Sequence, residues 1–140
     1  MVAITLNNKV GLKINAIDLS DHVTSVTLNQ TADELEVTAM GDAAHKFVKG
    51  LESATLTVSF LNDQGAASVL DTLSDAFGTT VAWKLLQDKD AAVAATNKLF
   101  TGDILVNNLT PINGAVGDMA TQDITFTVNS VVTVADTGTF

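Results

Sequence analysis

"LESATLTVSFLND", Leu51 to Asp63, alternates more cleanly than any other run in this chain. Ala54, Leu56, Val58 and Phe60 fall on one side, and Thr55, Thr57 and Ser59 on the other. That is the period of a strand with one buried face. A slip of one residue would bury the hydroxyl row, so hydrophobic burial fixes the register. With 6 Phe, 1 Trp and no Tyr in 140 residues, the core is predicted to be mainly aliphatic. Thr alternating with Val, Leu and Ile suits pleated, half-buried surfaces, and points to a mainly β protein.

Upstream lies "TADELEVTAMGDAAHKFVKGLE", Thr31 to Glu52. It opens as a strand, with Leu35, Val37 and Ala39 against Glu34, Glu36 and Thr38. The alternation stops at Met40, and a run bracketed by Gly41 and Gly50 follows, carrying Asp42, His45, Lys46, Phe47, Val48 and Lys49. This segment (about residues 40–50) is too long for a tight hairpin turn. It fits a lid over a site, a ligand clamp, or an arm that grips a neighbour.

The rest of the chain adds strands and one helix. Val2–Leu6 and Val10–Ile17 read as a hairpin around "NNKVG", and "IDLSDH" as an Asx-type turn. Val26 and Leu28, then Leu35 and Val37, read as a second hairpin across "NQTAD". In "NDQGAASVLDTLSDAFG" the period changes: Ala66, Val69, Leu70, Leu73 and Phe77 follow helical spacing. Asn62 or Asp63 can cap its front and Gly78 can stop it, which predicts a helix over 64–77, about 20 Å long. Alternation returns at Val81, Trp83 and Leu85, over Leu99–Val106, and at Ile124, Phe126 and Val128. "QDKDAAVAATNK" and "NNLTPINGAVGD" read as loops, and "VVTVADTGTF" as a short edge strand or a C-terminal arm. Some eight strands and one helix make a single domain over 1–140, a β-sandwich or partly closed barrel with one flanking α-helix.

Composition limits the function classes. At 46% hydrophobic and 16% charged residues the chain is no disordered tail. Cysteine is absent, which removes disulfides and thiolate metal sites. No basic-then-apolar leader opens the sequence, and no run approaches the roughly 18 apolar residues of a membrane span. The net charge of −9 comes from 16 acids against 7 bases, all Lys. Without Arg, the usual bidentate reader of guanine and phosphate, attraction to nucleic acid is weak. Such a chain can still surround nucleic acid without gripping it.

Catalytic motifs are missing. His22 and His45, with Asp18, Asp21 and Asp42 nearby, match no metal-ligand spacing. No "GxSxG" frames a serine, "GAVGD" lacks a phosphate-binding Lys–Ser/Thr, and "DKD" is too short for a calcium loop. Glu34 and Glu36 share a strand face roughly 6.6–6.8 Å apart, most simply a solvated acidic face. The chain is therefore read as a non-enzyme, with no catalytic, cofactor-binding or metal residues and no cofactor.

The series "DLSDHVTSVTLNQTADELEVTAMGDAAHKFVKGLESATLTVSFLND", a helix, "PINGAVGD" and "DITFTVNS" resembles the small major tail proteins, or tail tube proteins, of long-tailed bacteriophages. The likeness runs from Asp18 to Ser130. It implies a β-sandwich with a flanking helix, assembled as stacked hexameric rings into a tube that conducts DNA during ejection. It further implies synthesis in the host bacterial cytoplasm, a place in the virion tail, no membrane anchoring and no enzyme activity. Partners would be other copies of the chain, with tape-measure, tail-tip and tail-terminator proteins, while DNA passes without specific binding. Long loops and terminal arms bridge neighbours in that family. On this reading Met40–Gly50 is an inter-subunit arm, with Phe47 and Val48 as apolar anchor and Lys46 and Lys49 meeting a neighbour's acids. Glu34 and Glu36, opposite Leu35 and Val37, become the candidates for facing an acidic lumen. Two other readings remain: a capsid decoration or head-stabilising protein, and a monomeric ligand-binding β-barrel with Trp83 and Phe100 lining its pocket.

Overall fold

Hydroxyl and aliphatic rows that alternate along Leu51–Asp63 do form one long strand, and its neighbours organise around it. The computed structural model describes residues 8–140, so the expected strand Val2–Leu6 lies outside the described residues. In chain order the strands are β1 (Gly11–Ile14), β2 (Ile17–Asp18), β3 (Val23–Glu36), β4 (Phe47–Leu61), β5 (Thr80–Leu86), β6 (Leu99–Leu105), β7 (Thr121–Val128) and β8 (Thr133–Ala135). A 3₁₀ turn (Ser20–His22) precedes β3, and a single helix α1 (Val69–Ala76) lies between β4 and β5. All pairings are antiparallel, in the order β2-β1-β5-β6-β7-β4-β3, with β8 also on β6.

The sheet folds over at one place. β7 pairs with β4 from Thr121 to Thr127, but meets β6 only at Thr127 and Val128. Beyond Val128 the Asn129 N–H donates to the Asp103 carbonyl (2.7 Å), and the Asp103 N–H donates to Ser130 Oγ (2.9 Å). The chain then pairs with Leu99–Thr101 as β8. One strand path thus leaves β4 and transfers to β6 through an irregular corner, the device by which sandwiches pass a strand between sheets. Gly102 lines that corner: a Cβ there would lie 3.1 Å from both Ser130 Oγ and Trp83 Nε1.

On either side of the corner, β3-β4-β7 and β2-β1-β5-β6-β8 share one core. Leu12 and Ile14 of β1, Leu56, Val58 and Phe60 of β4, Trp83 of β5, Ile104 of β6 and Phe126 of β7 are all buried in it. The chain is mainly β, a curled antiparallel sheet with one helix against it, as its alternation predicts.

Besides the turn at Asn15–Ala16, which splits the expected strand Val10–Ile17 into β1 and β2, two local expectations change. The helix is eight residues, about 12 Å by its rise. Asp63 takes the Gly65 N–H (2.8 Å) in an Asx turn and Ala67 adopts φ 57°, so the chain turns sharply before Ser68. That local side-chain bond competes with helix at its front. Val69, Leu73 and Ala76 still face the core; Ala66 and Phe77 fall outside the helix, and Gly78 (φ 80°) ends the turn. The second change is "NQTAD", which is strand throughout, because Asn29–Ala32 find partners in Thr55–Glu52. Cross-strand pairing overrides the turn preference of Asn and Asp.

The C-terminal run forms the short strand β8 and then folds back. Lys98 pairs with Asp136 (3.0 Å), Lys84 Nζ donates to the Thr139 carbonyl (3.2 Å), and Lys13 Nζ lies 4.5 Å above the Phe140 ring.

Candidate assembly surfaces

Beyond Gln30 the β3–β4 hairpin leaves the core, and both of its strands are exposed. Pairing nevertheless continues: Glu34 opposes Lys49, Leu35 opposes Val48, Glu36 opposes Phe47, and the Val37 N–H donates to the Lys46 carbonyl (2.8 Å). From Thr31 to Glu36 this arm extends about 20 Å by strand rise. The irregular end is therefore residues 37–46. Phe47, Val48, Lys49 and Gly50, expected in the loop, are strand residues.

The tip is built from short polar contacts. Asp42 accepts the Ala39 N–H (2.8 Å) and pairs with Lys46 (2.7 Å), and the Lys46 N–H donates to Thr38 Oγ1 (2.9 Å). The Lys46 ammonium, with the Ala39 N–H, holds the Asp42 carboxyl below the usual aspartate range. His45 Nδ1 lies 2.8 Å from Glu36 Oε1, Gly41 turns the chain at φ 94°, and Met40 is fully exposed. Lys49 pairs with Glu52. Both arm lysines are thus partnered within the chain, by exposed, solvent-screened pairs that are open to exchange.

A bulge sets the faces of the arm. Between Ala32 and Glu34 two residues of β4, Gly50 and Leu51, oppose Asp33 alone. Gly50 permits this approach, since a Cβ there would sit 2.9 Å from the Asp33 Cβ. Leu35 and Val48 consequently lie on the face that carries Thr27, Asn29 and Thr31 nearer the body. Glu34 and Glu36 do face away from Leu35, as expected. They share the opposite face with Lys49 and Phe47, in line with Val26 and Leu28.

Nearer the body, the outer face of β3-β4-β7 is a hydroxyl surface. Thr27, Thr57 and Thr125 stand abreast, as do Asn29, Thr55 and Thr127. Thr57 Oγ1 lies 3.3 Å from Thr125 Oγ1, and Thr31 Oγ1 lies 2.8 Å from Ser53 Oγ. Asp123, beside Ser59, brings a carboxylate to it. This half also has two open edges among the described residues: the outer side of β3, and β7 from Thr121 to Phe126.

Other features are less organised for chemistry. A cleft of about 700 Å³ lies between Val23–Gln30 and a wall that includes Leu85, Leu86 and Phe100. Lys89 and Asp21 pair across it (2.9 Å), which raises the lysine and lowers the carboxyl from their ordinary values. Phe100 lines this cleft; Trp83 is core instead. His22 pairs with Asp63 (3.0 Å), and among the described residues no three His, Cys, Asp or Glu side chains gather as a metal site. Gly65, donating to Asp63, is the main cause of that carboxyl's lowered pKa. No helix among the described residues is long and apolar enough to cross a membrane.

The fold is that of a chain found in a solved virion. That structure is the virion of a native gene transfer agent (GTA) particle, matched with a TM-score of 0.76 at 9% identity over 94% of this chain and 99% of that one. At this identity the likeness is one of fold. No family model and no curated protein matches the sequence.

Proposed function

We propose that this chain is a virion structural protein that polymerises as stacked hexameric rings into a phage tail tube conducting DNA. The observation that carries the reading is the β3-β4-β7 half, with two open edges, one polar face and a projecting arm. Open edges invite aggregation unless sealed. Pairing β3 of one copy with β7 of the next is a head-to-tail contact, and such contacts give rings when the rotation between copies closes. The hydroxyl face then lines the channel, and the arm, with Met40 to Gly50 at its end, reaches an adjacent subunit. On this reading Glu34 and Glu36, on the face opposite the hydroxyl rows, border the channel only where the arm projects beyond the body.

The charge supports passage without adhesion. Every lysine has a partner within the chain, whereas most acids have none among the lysines. A wall of hydroxyls with the Asp123 carboxylate and, among the described residues, no unpaired cation releases phosphates and does not hold them. The likeness to a chain of a virion supports a place in a particle; synthesis in the host cytoplasm and a position in the tail are part of the proposal. Tape-measure, tail-tip and terminator proteins are the partners that complete such a tube, and no cofactor or reaction is assigned.

Negative-stain microscopy of the purified chain tests this: rings or tubes support it, and isolated particles would favour a capsid decoration role. The cleft beside Phe100 favours a third reading, a ligand-binding barrel. A monodisperse monomer across a concentration series would support that reading against assembly.

A further inference from the structure

The connection from β6 to β7, residues 106–120, contains a feature that the assembly reading does not explain. Asn113 is followed by Gly114, and both are exposed. A Cβ on Gly114 would meet nothing within 4 Å, so the space beside its α-carbon is open. Among the described residues the Asn113 amide makes one long contact, from Nδ2 to Thr121 Oγ1 (3.4 Å). Its surroundings are fixed from both sides, by Asn62 Nδ2 donating to the Pro111 carbonyl (3.0 Å) and the Asp118 N–H donating to the Ala115 carbonyl (3.0 Å).

Other asparagines are restrained differently. Asn97 is buried; its Nδ2 donates to the Asp88 (2.9 Å) and Ala92 (3.2 Å) carbonyls, and its Oδ1 accepts the Asp88 N–H. Asn129 is tied at its backbone to Asp103 and at its side chain to Thr80 (3.2 Å), and Ser130 follows it. Each of these residues after asparagine carries a Cβ that hinders attack by its own nitrogen. Glycine alone leaves that approach open.

We propose that Asn113 is a self-modification site that converts to aspartate or isoaspartate. The Gly114 backbone nitrogen gives its proton to solvent base and forms a bond to Asn113 Cγ. The Cγ–Nδ2 bond breaks, the departing nitrogen takes a proton, and ammonia leaves a cyclic imide. Water then adds to either imide carbonyl and opens the ring. The net change is ammonia for water, with no electron transfer, and base accelerates it.

Conversion puts a carboxylate between Ile112, 88% exposed, and the fully exposed Val116, on a chain already at −9. A burden of that kind on an exposed apolar loop opposes self-association. This consequence rests on the assembly reading; the chemistry does not. Packing against a neighbour would restrain the loop, so assembled chains convert more slowly than free ones.

The test is incubation of the full-length free protein at mildly alkaline pH, followed by peptide mapping and enzymatic isoaspartate labelling. Conversion should concentrate at Asn113, with Asn97 and Asn129 intact, and Gly114→Ala should lose most of it while keeping the wild-type circular dichroism. No conversion at Asn113, or equal conversion at all three, would overturn the proposal. In a second arm, equal rates for tubes and free chain would remove the assembly consequence alone. A chain that converts at Asn113 but forms no tubes would count against the assembly reading and for the modification site.

Discussion

Gly50 shows how a single letter conceals its physical use. Glycine serves either where φ is positive or where another backbone comes close. Gly41 is of the first kind, at φ 94°, and Gly50 of the second, packed against Asp33 at a bulge. In sequence both simply bracket the run after Met40, because the close approach depends on a strand paired across the hairpin. Alternating residues are more legible: Ala54, Leu56, Val58 and Phe60 are all buried as their spacing predicts. Phe60→Ala should therefore cost about 3–5 kcal/mol in urea denaturation, through lost burial and the cavity left behind. Asp42 gives a pH prediction. Its carboxyl is lowered in the folded tip, so its contribution is present above the ordinary aspartate pKa and is lost as pH falls through the depressed value. Acidification below about pH 4 should expose the Ala39 amide to hydrogen exchange while amides in the core of β4 stay protected.

At the scale of elements, the arm and the helix were each half legible. Strand character before Met40 and the break after it are plain in the pattern. The return to strand at Phe47 is hidden, since Phe47–Gly50 alternate with nothing until Glu34–Glu36 lie opposite. Likewise the stripe Val69, Leu73 and Ala76 is visible in sequence, whereas the Asp63–Gly65 turn that shortens the helix is a local competition between two allowed structures. Because Glu36 and Phe47 face each other, an Asn-Gly turn can replace residues 37–46 and still close the hairpin. That variant should melt like the parent and remain monomeric. Polymers of normal length from it would remove the arm from the assembly.

For the whole molecule, fold class was legible and topology was not. Alternation gives the number and faces of strands, but the order β2-β1-β5-β6-β7-β4-β3 depends on long-range pairing that no local pattern specifies. The corner at Asn129–Val132 is one such case, looking in sequence like the start of a tail. Net charge was legible as a number, and its distribution only from structure, where the lysines are all engaged and the hydroxyl face stays nearly uncharged. If Glu34 and Glu36 border the channel, replacing both with Lys should make tubes retain DNA and slow ejection, with the effect relieved by salt. Unchanged ejection would place those acids elsewhere. The central claim is the ring closed through β3 and β7, and cryo-electron microscopy of the purified, assembled chain tests it most directly. The account predicts a hollow tube in which β3 of each copy pairs with the Thr121–Phe126 edge of its neighbour and the hydroxyl face lines the bore. Tubes with both edges open to solvent, or a chain that stays monomeric at every concentration, would contradict it.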